Sequence, residues 1–174
     1  MFVYALWIMI PAYIPNSAAA LLKGRLPMDF RRTMGDGRRI LGDGKTWRGF
    51  FGGTICGIAC GCIQIWAYHQ YHLTFLPHHT VLSVALLSVG SLTGDVVASF
   101  FKRRLGKERG EKWPFGDQYD FLFGAFILLV ILDWSWVQEN ITITTLVAII
   151  IMTPLLHRVV NMIGHKLGFK KDPW

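Results

Sequence analysis

Three aspartates, Asp95, Asp117 and Asp120, lie inside or beside long apolar stretches. A carboxylate is costly there unless a cation accompanies it. Asp95 belongs to a polar series, Ser88, Ser91, Asp95, Ser99 and Lys102, whose spacings of three or four residues put all five on one helix face. Asp117 and Asp120 lie three apart, on one face of a helical first turn. Capping and the helix dipole account for one acid at that position better than for two. Lys102, Arg103, Lys107 and Arg109 surround these acids. Hard carboxylate oxygens suit Mg²⁺ and a basic surround suits a polyphosphate, so the chemistry indicated is phosphoryl or nucleotidyl transfer. The plainer reading of Asp95 is an ion pair with a Lys or Arg from a neighbouring loop.

Gly42, Gly44, Lys45 and Thr46 sit in a second polar string, Leu41–Gly49. Gly-Lys-Thr invites comparison with a phosphate-binding P-loop, but Arg39 stands where the leading glycine belongs and no strand precedes it. A glycine-rich turn at a helix start can still hold phosphate oxygens on backbone N–H groups. A simple turn into the next helix is the alternative. Near the amino terminus, Pro11 and Pro15 are expected to break a helix and free carbonyls near Asn16 and Ser17, a stretch suited to lining a lipid cleft. His157 and Asn161 form a further polar stripe without an assigned role. His69, His72, His78 and His79 offer imidazoles to a metal, although an exposed turn explains them as well. Cys56, Cys60 and Cys62 share one apolar stretch with no His or carboxylate to complete a metal site, and read as packing.

The elements that must position these groups are membrane helices. Of 174 residues 52% are apolar and 17% charged, against about 25% charged in an ordinary soluble domain. Mean hydropathy is +0.37. Five apolar stretches, approximately 2–22, 50–68, 81–101, 121–137 and 141–163, approach the roughly 20 residues needed to cross a bilayer as helix. None alternates polar and apolar residues as a barrel strand does. The expectation is one all-α, polytopic domain over 1–174, with polar loops at 23–49 and 102–120. The first stretch resembles a signal peptide only in Ser17–Ala20; no Lys or Arg precedes it, so it reads as a retained span.

All 18 Lys and Arg fall in three segments, eight in Lys23–Arg48, six in Lys102–Lys112 and four in Arg158–Lys171. Segments 69–79 and 138–140 have none. This alternation predicts an external amino terminus, a cytoplasmic carboxyl terminus and a cytoplasm-facing site in the cell membrane. The net charge of +7 then serves anionic lipid or an anionic substrate, and no basic-aromatic motif suggests nucleic acid. Gly53, Gly57 and Gly61, and Gly90 with Gly94, recur every fourth residue and suit close helix packing, within the chain or in a homodimer.

Lys45-Thr46-Trp47 with Gly49, Ser99-Phe100-Phe101-Lys102-Arg103 and Asp117-Gln118-Tyr119-Asp120 resemble elements of the phosphatidate cytidylyltransferases. Arg48 and Gln118 depart from that pattern, as does the short segment before Asp117. The departures are similar to the archaeal CDP-archaeol synthases, as are Pro11-Ala12-Tyr13, Asn16-Ser17, Pro27-Met28-Asp29-Phe30, Gly94–Arg104, Trp113-Pro114 and Lys170–Trp174. The resemblance implies transfer of CMP from CTP to 2,3-bis-O-geranylgeranylglycerol 1-phosphate with Mg²⁺. Asp95, Asp117 and Asp120 would hold metal, and Lys45, Thr46, Lys102, Arg103 and Arg109 the triphosphate. Two rivals are weaker. A CDP-alcohol phosphotransferase motif starting at Asp43-Gly44 lacks its last two aspartates, at Gly61 and Ile65. A small ion or proton-coupled transporter would use Asp95 as a relay, but the acids cluster on one side and no inverted repeat is evident.

Overall fold

The computed structural model describes residues 1–107, 111, 113 and 116–166, apart from the side chains at 161 and 163–165. Six helices follow in order: α1 (Phe2–Leu21), α2 (Trp47–Gln70), α3 (Val81–Arg104), α4 (Gly116–Leu132), α5 (Trp134–Asn140) and α6 (Ile143–Lys166). The described residues contain no β-strand, only isolated bridges at Pro27–Thr46 and Thr33–Arg39. α1, α2, α3 and α6 are each long and apolar enough to cross a bilayer. The expected fourth span, 121–137, is not one helix. α4 starts at Gly116 and stops at Leu132, and α5 departs from its direction by 113°, so a fifth span exists only as this bent pair. At 1.5 Å per residue, the 17 residues of α4 cover about 25 Å, short of a full hydrocarbon core.

The apolar surface faces outward as lipid contact requires. Ile55, Ile63 and Trp66 on α2, Phe123, Ile127 and Ile131 on α4, and Ile151, Leu155 and Val159 on α6 are all exposed. α1 lies at the centre, with Ile8, Met9 and Ala12 packed into a buried cluster with Leu87, Phe121, Ala125 and Ile149. Glycines set the helix spacing. Gly57 abuts Pro11, Pro15 and Ser88, and a Cβ there would come 2.6 Å from both Pro15 Cγ and Ser88 Oγ. Gly90, Gly94 and Gly124 bring the backbones of α3 and α4 into direct contact. Both glycine stripes are thus used within the chain.

The prolines do not break α1, contrary to expectation; the helix runs through both. A proline at position i removes the bond to the carbonyl four residues back. Pro11 therefore frees Trp7 O, which accepts from Gln64 Nε2 at 2.9 Å and His79 Nε2 at 3.3 Å. Pro15 frees Pro11 O, which accepts from Ser88 Oγ at 3.0 Å. Pro154 in α6 frees Ile150 O, which accepts from Tyr119 Oη at 3.1 Å. In a bilayer each freed carbonyl needs a donor. Here each donor comes from another segment, turning a helix defect into a tertiary contact.

Candidate active site

The site is assembled where α2 begins, α3 ends and α4 begins. Thr46 caps α2, its Oγ1 accepting from Gly49 N and Gly24 N, both at 3.1 Å. The cap fixes the preceding residue, so Lys45 reaches across to α3 and its ammonium pairs with the Asp95 carboxylate. The ion-pair reading of Asp95 holds for the protein as described. On α3 about two turns further, Lys102 donates to both oxygens of Asp117, at 2.7 and 3.0 Å. Asp117 also accepts from Trp113 N at 3.1 Å, which ties Trp113 to the first turn of α4. Asp120 Oδ1 accepts from Phe121 N at 2.6 Å. Ser99 Oγ bonds back to Asp95 O at 2.8 Å and Ser91 Oγ to Ser88 O at 3.2 Å, so these members of the α3 stripe serve their own helix.

These groups open onto a cavity of about 430 Å³. Lys45, Asp95, Asp117, Asp120, Asn16 and Ser17 line its polar part, and His157 and Thr153 of α6 also face it. Leu6, Ile10 and Ile14 of α1 with Leu156 and Val160 of α6 make an apolar wall. Tyr13 bridges the two helices through a 2.9 Å hydrogen bond between its hydroxyl and that of Thr153. The cavity is therefore amphiphilic, with charge at one end and hydrocarbon along α1 and α6. Asn16 Oδ1 is buried and accepts no hydrogen bond from the described residues.

Other expected nucleotide residues lie elsewhere. Arg103 donates to Leu41 O at 3.2 Å and to Lys107 O, and joins Arg38, Arg39, Gly42, Asp43, Gly106 and Lys107 around a second, basic cavity of about 340 Å³. Gly42 cannot offer its N–H to a phosphate, because that group donates to Asp29 Oδ2 at 2.9 Å. Thr46, as a doubly bonded buried cap, is a structural anchor for Lys45. Gly44 borders a small recess shared with Asn16, Lys45 and Asp95. Arg109 falls outside the described residues, as do Pro114 and Lys170–Trp174 and the side chain of Asn161.

Asp29 organises the first polar loop, a role that no spacing in the sequence reveals. Its side chain is fully buried. Oδ1 accepts from Arg31 N at 3.0 Å and Arg39 Nη2 at 2.7 Å; Oδ2 accepts from Arg39 Nε at 3.1 Å, Leu41 N at 3.0 Å and Gly42 N at 2.9 Å. Burial alone would raise its pKa, but the Arg39 guanidinium and three backbone N–H groups outweigh that and hold it far below the usual carboxylate range. Phe30 and Arg31 adopt left-handed backbone, with φ of 49° and 63°, to wrap around it. Such turns cost bulky residues of order 1–2 kcal/mol each, and the bonds to Asp29 offset that cost.

A family model described as CarS-like, CDP-archaeol synthase, matches residues 1–174. This chain belongs to that family. The CDP-archaeol synthase of Methanoculleus marisnigri is 56% identical over 166 residues, covering 95% of this chain and all of the relative. That of Methanoregula boonei is 53% identical with the same coverage. A solved structure described as an intramembrane enzyme for archaeal membrane lipid biosynthesis superposes with a TM-score of 0.76 at 33% identity, covering 93% of this chain and 95% of its own. Membership makes the protein a multi-pass membrane enzyme of the cytidylyltransferase type, acting in archaeal lipid synthesis.

Proposed function

We propose that this CDP-archaeol synthase family member transfers CMP from CTP to 2,3-bis-O-geranylgeranylglycerol 1-phosphate, with release of pyrophosphate. The observation that carries the reading is the cavity itself, with Lys45 and three carboxylates at one end and an apolar wall on α1 and α6. A diether lipid phosphate needs both environments within one molecular length. The lipid enters sideways from the bilayer between α1 and α6, and its phosphate stops at the polar end beside Asn16, Ser17 and Lys45. The loops bearing the basic residues face the cytoplasm in this reading, which the distribution of Lys and Arg supports.

The chemistry asks little covalent help from the protein. A phosphate oxygen of the lipid, already anionic, attacks the α-phosphorus of CTP; the new P–O bond forms as the bond to pyrophosphate breaks. No proton must be removed, so a strong general base is unnecessary. The protein must bring two anions together and offset the charge growing on the leaving group. Lys45 and Lys102, held in place by Asp95 and Asp117, supply that positive charge, and the neighbouring cavity at Arg103 adds more. Asp95, Asp117 and Asp120 with the unpartnered oxygen of Asn16 form a hard-oxygen donor set that fits Mg²⁺. Among the described residues no three His, Cys, Asp or Glu groups already converge on one point. Lys45 and Lys102 neutralise two of the acids instead, and would be released toward the triphosphate if Mg²⁺ took those carboxylates. When bound, Mg²⁺ would neutralise triphosphate charge. Incorporation of labelled CMP into the lipid by purified protein in nanodiscs tests the reading, with CTP or dCTP expected to far exceed ATP. Equal use of ATP would reject it. Ion flux in proteoliposomes without nucleotide turnover would favour a transporter.

A further inference from the structure

The four histidines around the connection from α2 to α3 are separated by the fold into distinct roles. His79 is a core residue: it is 1% exposed, stacks on Trp136 with ring centroids 5.5 Å apart, and bonds to Trp7 O. Burial pushes its imidazole down to about 4, so it is neutral at ordinary pH. His72 occupies a left-handed turn position, with φ of 48°. His69 and His78, by contrast, are exposed and face each other, Nε2 to Nε2, at 3.3 Å. They lie at the end of the bundle opposite the catalytic cavity, since α2 begins there and ends here.

We infer that His69 and His78 form a binding site for a borderline divalent transition-metal ion such as Zn²⁺, with both Nε2 atoms as ligands and water completing the shell. The distance carries the inference. Two nitrogens each about 2.05 Å from a tetrahedral zinc are separated by about 3.3 Å. The ligands are also held before any ion arrives. His69 stands on the last turn of α2, whose end is closed by Tyr71 N donating to Ala67 O. The backbone around His78 is pinned by two indoles, Trp136 Nε1 donating to His78 O at 2.8 Å and Trp7 Nε1 donating to Pro77 O at 3.1 Å. Tyr68 packs against both rings, at 5.4 Å from His69 and 4.9 Å from His78. A metal here would staple the end of α2 to the segment leading into α3. Without metal, the pair can share one proton as an imidazole–imidazole hydrogen bond, which requires opposite tautomers. Metal binding requires both Nε2 lone pairs, with both protons on Nδ1.

The test uses the whole chain without a polyhistidine tag, in detergent and excess Mg²⁺ to fill the carboxylate site, titrated with Zn²⁺ by calorimetry. One ion per chain is expected, with affinity weakened about tenfold or more in His69→Gln and in His78→Gln and unchanged in His72→Gln. Unchanged affinity in both His69→Gln and His78→Gln, or no binding to the parent protein, overturns the assignment. Cu²⁺ added to the parent protein supplies a readout independent of variant folding. Its paramagnetic resonance spectrum should show two imidazole nitrogens, and a spectrum with none or one overturns the site equally.

Discussion

Replacing Asp29 with Asn tests whether the first polar loop is held by a single buried carboxylate. The substitution keeps the size and removes the charge together with one acceptor oxygen. If the remaining oxygen takes the place of Oδ2, the bonds from Arg31 N and Arg39 Nη2 are lost; in the other orientation those from Arg39 Nε, Leu41 N and Gly42 N are lost. Either way an amide NH₂ faces a guanidinium that can only donate. A hydrogen bond to a charged group contributes about 1.5–3 kcal/mol and a neutral one about 1 kcal/mol. Arg39 stays 26% exposed and is partly solvated after the change, so the lower end applies. The loop's closed arrangement should lose about 3 kcal/mol, on the order of a hundredfold in the equilibrium constant for closing the loop that presents Lys45 and the basic cavity. CMP-transfer kinetics should show this mainly as a raised KM for CTP. The bundle does not rest on Asp29, so helicity and extraction should be normal. A kcat/KM within threefold of the parent would refute the reasoning. The pH dependence has a definite sign. Asp29 is depressed in the folded protein, so its contribution is full above the unfolded value near 4 and declines only as pH falls below it. Loop order, read by protection of Gly42 N–H from hydrogen exchange, should be flat from pH 8 to about 5 and fall in stronger acid.

Asp95→Asn, Asp117→Asn and Asp120→Asn should each fold and extract normally yet lose CMP transfer by on the order of a hundredfold or more, with partial rescue by added Mg²⁺. Near-normal turnover in all three would remove the proposed metal and phosphate site. Gly124→Ala should lower the melting temperature in detergent, because its Cβ would press on the backbone of Gly90 and Gly94, and overpacking of this kind costs roughly 1–3 kcal/mol. Gly35→Ala, with nothing within 4 Å, should leave the melt unchanged. Cysteines placed at 45 and 107 should label from the cytoplasmic side and one at 72 from outside; common labelling of 72 and 107 would contradict the orientation.

The helical class, the apolar stretches and the clustering of charge were legible in the sequence because hydrophobic length and charge are properties of a local window. The aspartates could be singled out for the same reason: a carboxylate in an apolar stretch is anomalous before any neighbour is known. What the acids meet was not legible. Lys45 pairs with Asp95 across 50 residues because Gly53, Gly57 and Gly61 seat α2 on α3, and Lys102 pairs with Asp117 across 15 because Gly90, Gly94 and Gly124 draw α3 and α4 together. The prolines show the difference most clearly. Their sequence positions announce lost helical bonds, and a broken helix was the natural expectation. Tertiary packing supplied Gln64, His79, Ser88 and Tyr119 as replacement donors, so α1 and α6 continue through them. The fourth apolar stretch likewise had the length of a span, yet the chain turns by 113° at Asp133, where Trp136 docks on His78 O. Asp29 stayed hidden because its five donors are drawn from residues up to 13 positions away, around left-handed turns that no helical or strand period encodes. A polar loop has no repeating geometry from which its partners can be read, and only the closed loop brings them to one carboxylate.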